Sequence, residues 1–73
     1  MRTRVRRFLR ELMALPEVPV LTGGSKKGVH WTEVKRVKKG SSGYKKALLN
    51  SVIEEFFLSE RELDEVKDVI AGR

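Results

Sequence analysis

The sequence predicts a small α+β domain: an N-terminal helix, a two-stranded β-hairpin and a C-terminal pair of helices. Three observations predict it. Apolar residues recur at helical spacing at both ends of the chain, a β-rich stretch punctuated by glycine lies between them, and 73 residues leave room for one core only. The composition, 40% hydrophobic and 36% charged, is that of a folded chain. No apolar run is long enough to cross a bilayer. A core of this size supplies only about 3–5 kcal/mol of net stability. The chain has no cysteine, so neither disulfides nor thiolate zinc sites can add to it. Helix packing or burial against a partner has to supply the rest.

The first helix is expected over about residues 3–15. Thr3 is placed to cap it, and Val5, Phe8, Leu9, Leu12 and Met13 form one apolar stripe. Pro16 stops it, because a proline forces the residue before it out of the helical region. The hairpin is expected over about 18–37. Val18, Val20 and Thr22 alternate as in a strand, Gly23 to Gly28 read as a flexible loop, and Val29 to Val37 form the second strand. That second segment has a rival reading as a short helix, since Trp31, Val34 and Val37 are three apart and Gly40 can end it. The alternative fold is therefore a small all-α bundle.

The helical pair is expected over about 43–71. Ser41 or Ser42 caps a second helix that runs to about Leu58, with Leu49, Val52, Ile53, Phe56 and Phe57 as its stripe and Leu48 widening it. Ser59-Glu60-Arg61-Glu62 is a capping box, with Leu58 before it set to staple onto Leu63. Leu63, Val66 and Ile70 form the third stripe, and Gly72 terminates the helix.

The formal charge of +6 is unevenly spread. Residues 1–50 hold thirteen basic and three acidic side chains, whereas residues 51–73 hold three basic and seven acidic ones. The basic part divides again by type. Arg2, Arg4, Arg6, Arg7 and Arg10 crowd the first ten residues, and lysines dominate from Lys26 to Lys46 with Arg36 alone among them. Arginine presents a planar fork for bidentate contacts and lysine a hydrated point charge, so two different basic surfaces are expected. The arginines also oppose the positive end of the first helix dipole. Either they meet an external anion, or acidic residues of 54–68 neutralise them.

Little in the sequence resembles a catalytic centre. His30 is the only histidine, no serine sits in a nucleophile-elbow context, and the glycine pairs lack Walker or dinucleotide spacing. Asp64 and Asp68 lie one helical turn apart, which is too few ligands for a specific metal site. The expectation is a non-enzyme with no cofactor and no metal. The Arg-rich start lacks the apolar run of a signal peptide, and an intracellular, cytoplasmic protein is expected.

Two surfaces carry the functional expectation. Arg4, Val5, Arg6, Arg7, Phe8 and Leu9 form an amphipathic cationic face suited to an acidic groove on a partner protein. An anionic membrane is the weaker occupant, because Pro16 limits the helix to a few turns. Lys26, Lys27, Trp31, Lys35, Arg36, Lys38, Lys39, Lys45 and Lys46 form the second surface, suited to nucleic acid. Trp31 has two readings: a base-stacking platform among lysines, or the main aromatic of the core. The core reading is preferred. In size, charge and lack of catalytic residues the chain resembles small phage-encoded regulators that bind bacterial RNA polymerase. That resemblance implies a transcription regulator that docks on the polymerase beside nucleic acid. A direct DNA- or RNA-binding module or ribonucleoprotein subunit is one alternative. A structural oligomer, its oppositely charged halves attracting one another, is another.

Overall fold

The structure, a computed structural model, describes residues 1–72. Its elements are α1 (Thr3–Ala14), β1 (Glu17–Lys26), β2 (Val29–Lys38), α2 (Tyr44–Glu55) and α3 (Glu60–Ala71). This is the predicted order, and the all-α alternative falls because Val29 to Lys38 pairs with β1 along its whole length. The core gathers one face from each helix and from β1. Val5 and Leu9 of α1, Val18 of β1, Ala47, Leu48 and Val52 of α2, and Val66 of α3 are all buried. Helix α2 lies at the centre, in contact with α1, α3 and both strands.

The helix ends depart from local expectation in instructive ways. Arg2, not Thr3, occupies the N-cap of α1, and no side chain of its own closes the cap. Glu62 from α3 supplies the acceptor: its Oε2 takes the Arg2 backbone N–H at 3.2 Å and the Arg2 Nε at 2.9 Å. A carboxylate at the positive end of a helix satisfies a free donor and complements the dipole. The capping box at Ser59 is thus only half reciprocal. Its hydroxyl accepts the Glu62 N–H at 3.2 Å, while the Glu62 side chain turns away to Arg2.

Helix α2 begins at an uncapped Gly43, because the Ser41 hydroxyl donates instead to the Lys38 carbonyl at 2.7 Å. It ends at Glu55, short of the expected Leu58. Phe56 is extended there, and its ring meets Phe8 edge-on at 5.4 Å with the Arg2 guanidinium 5.8 Å above it. Phe57, past this stop, is 95% exposed, and Ile53, still within the helix, is also exposed, so neither belongs to the buried stripe. Gly72 ends α3 in the left-handed conformation, as predicted.

The hairpin is longer and tighter than predicted. The expected loop Gly23–Gly28 shrinks to Lys27 and Gly28, with φ of 52° and 79°. Positive φ at both central positions is the two-residue turn whose twist matches the strands. From it the ladder runs without a break from Lys26↔Val29 to Glu17↔Lys38. Only Val18, Val20 and Val37 pack on the helical core. Beyond them the ribbon continues into solvent, and the molecule measures 43 Å along its longest axis and 18 Å along its shortest.

Candidate nucleic-acid interface

Opposite residues of an antiparallel ladder share a face, so the register sorts every side chain of the arm. One face carries Val18, Val20, Thr22, Gly24 and Lys26 against Val37, Lys35, Glu33, Trp31 and Val29. Its base is the core-facing end, and its tip holds Lys26, Val29 and Trp31. The other face carries Pro19 against Arg36 and Leu21 against Val34, with Glu17 opposite Lys38 where the arm leaves the helices. Lys26, Lys27, Lys35, Arg36 and Lys38 are exposed along this one ribbon, and Lys39 follows in the turn toward α2. The arm carries two carboxylates, Glu17 and Glu33, against these cations. Among the described residues no carboxylate lies within ion-pair distance of these arm cations.

Trp31 does not fill the core. It is 44% exposed, because its position lies well past the last strand residues that reach the helices. The indole folds across the ladder onto Gly24, its cross-strand partner. A β-carbon on Gly24 would stand 2.7 Å from Cζ2 and 2.8 Å from Cη2 of the ring. The missing side chain is the seat of the indole. Sequence reading missed this role for Gly24, yet a turn placed at Lys27–Gly28 pairs the two residues by counting alone.

Lys45 and Lys46 are exposed in the first turn of α2, on a different element from the arm. With Lys67 they rim a depression of about 250 Å³ lined by Leu49, Ile70 and Ala71 between α2 and α3. The nine residues expected at nucleic acid are therefore exposed, but they fall on a ribbon, a turn and a separate helix end.

The arginine face fares differently. Val5 and Leu9 are closed in the core and Phe8 is half-buried against Phe56, so the apolar half of the predicted docking face is already used within the chain. The stripe that folds the domain cannot also serve a partner. Arg4, Arg6, Arg7 and Arg10 remain exposed and form no ion pair among the described residues. Among the described residues, Arg2 is the one arginine of this group that the acidic C-terminal region neutralises. There the hydrogen bond from Arg2, aided by charge attraction, holds Glu62 below the usual glutamate range.

Among the described residues no group of three or more potential ligands gathers to hold a metal ion, and no helix is long and apolar enough to cross a membrane. No family model matches the chain, and no curated protein or solved structure is significantly similar to it.

Proposed function

We propose that this chain is a small non-enzymatic nucleic-acid-binding protein that uses its β-hairpin as an arm along the phosphate backbone. The observation that supports this is the projecting ribbon itself. Lys26, Lys27, Lys35, Arg36 and Lys38 line it, exposed and free of carboxylate partners among the described residues. Cations placed in this way attract polyanions by releasing condensed counterions, without reading sequence. Regulation of transcription is the process proposed for such an activity.

A second reading rests on Arg4, Arg6 and Arg7, which are exposed on α1 without ion-pair partners among the described residues. In it the chain docks on an acidic protein surface, such as a patch of RNA polymerase, and the lysine arm lies beside the nucleic acid. With Val5 and Leu9 buried, this docking is led by charge alone.

The test titrates the isolated protein into labelled duplex and single-stranded oligonucleotides at several salt concentrations. Direct phosphate contact predicts a log–log slope of about −4, and reversal of Lys26, Lys27 and Lys35 to Glu should weaken binding at least about tenfold at low salt. A flat salt dependence, or unchanged binding by the triple variant, rejects the arm. Loss of partner capture on reversal of Arg4, Arg6 and Arg7 to Glu then supports the second reading.

A further inference from the structure

Trp31 is the only tryptophan of the chain, and it lies on the tip half of the arm, where no core residue reaches it. Its ring covers Gly24 so closely that no β-carbon fits between them. One side of the indole is thus taken up by the backbone of β1, and the 44% exposure of the residue leaves surface open to solvent. A flat, seated and partly open ring is the shape on which a base stacks.

The rest of the tip decides which nucleic acid suits it. A two-stranded ribbon can enter a major groove, where bidentate reading of guanine or adenine uses Arg, Lys, Asn or Gln side chains. Of these, residues 21–34 contain only Lys26 and Lys27, both at the turn end of the ribbon and neither opposite Trp31. One face of this distal arm presents Leu21 opposite Val34, 67% and 58% exposed, and the other presents Val29 beside Trp31. These are surfaces for stacking and apolar contact. The lysines Lys26 and Lys27 at the turn and Lys35 toward the base stand on either side of Trp31 along the ribbon. Cations on both sides of the ring can attract the phosphates that flank a stacked base.

We infer that Trp31, seated on Gly24, is a stacking platform for an unpaired base, so that the arm takes single-stranded nucleic acid in preference to duplex. This deepens the arm reading above and rests on it. A base inside a duplex shows only its edges, whereas an unpaired base can lay its face on the indole.

The experiment uses the intact protein with three probes: oligo-dT, oligo-U and a duplex of equal length. Binding is followed by anisotropy of a label on the oligonucleotide and, separately, by Trp31 fluorescence. Stacking predicts that both single strands quench the tryptophan and the duplex does not. Trp31→Ala should weaken single-strand binding by about 10- to 100-fold while changing duplex binding less than about twofold. Gly24→Ala keeps the indole but removes its seat, and should weaken single-strand binding without altering the charge. Single-strand binding with unchanged fluorescence, or unchanged affinity in Trp31→Ala, overturns the platform while leaving the arm intact. If no probe binds at low salt, the arm reading itself fails.

Discussion

The helical body and the distal arm of this molecule follow opposite rules. In the body each helix gives apolar residues to one core: Val5, Leu9, Leu48, Val52 and Val66 are buried and Val18 seals them from the strand side, while Ile53, Phe57 and Val69 stay at its surface. In the arm the apolar residues Leu21, Val29, Trp31 and Val34 stay exposed, and the lysines stand among them. An isolated two-stranded hairpin is marginal in water, so this ribbon is held mainly by its turn, its ladder and its anchored base. Buried packing is therefore concentrated in the helical body, and the exposed cations of the proposed interface lie on the arm. Surface changes on the arm should leave the helical core intact.

The sharpest break of this comparison pairs two leucines. Leu48→Ala removes a buried side chain at the centre of the helical body and should cost about 2–5 kcal/mol. Leu21→Ala, on the exposed arm face, should change stability by less than about 0.5 kcal/mol. Urea unfolding followed by circular dichroism measures both. Equal losses would mean that the arm face is covered.

A smaller effect concerns the bond between α1 and α3. Arg2 holds the Glu62 carboxyl below its ordinary value, chiefly through the hydrogen bond between them. A depressed carboxyl contributes stability that is fully present above its unfolded-state value and is lost as pH falls through the folded one. The thermal midpoint of the native chain should therefore fall more steeply than that of Glu62→Gln below the ordinary glutamate range. The pH response of Trp31 fluorescence in the folded protein should be the same in both, because Trp31 lies on the arm. A variant whose midpoint tracks the native protein across that range refutes the role of Glu62.

The smallest effect lies at the turn. Lys27 is the one described non-glycine residue with positive φ, where Asn is better tolerated than a long side chain. Lys27→Asn should steady the arm by up to about 1 kcal/mol, read as slower amide exchange in β1 and β2. The urea midpoint of the helical body should hardly move. A shift of that midpoint by the full amount would show that arm and body unfold as one unit.

These contrasts also explain what the sequence alone made legible. The Ser59 cap and the Gly72 stop were readable because each works through neighbours three or four residues away. The N-cap of α1 was not, since its acceptor, Glu62, comes from sixty residues along the chain. The early end of α2 was hidden for the same reason, because Phe56 leaves the helix where it meets Phe8 of another element. Gly23 and Gly24 read as loop by composition, yet the cross-strand indole fills the space that Gly24 leaves vacant. Within the candidate site the exposed cations followed from composition. The exposure of Trp31 did not, because alternation marks a strand without marking where the strand outruns its core.

The closed base of the arm has a consequence for how the chain folds. Twenty-nine residues, 15–43, separate α1 from α2. Glu17 pairs with Lys38, however, and the Lys39 N–H reaches the Pro16 carbonyl at 3.4 Å. A hairpin zips from its turn in about 1–10 μs, without waiting for distant partners. Once zipped, it shortens the connection that α1 and α2 must close to little more than Leu15, Pro16 and the residues from Lys39 to Gly43. The loop-closure entropy of docking the two helices falls accordingly. The ribbon that packs least in the finished fold is thus placed to speed its assembly, acting as a splint that draws the first two helices together.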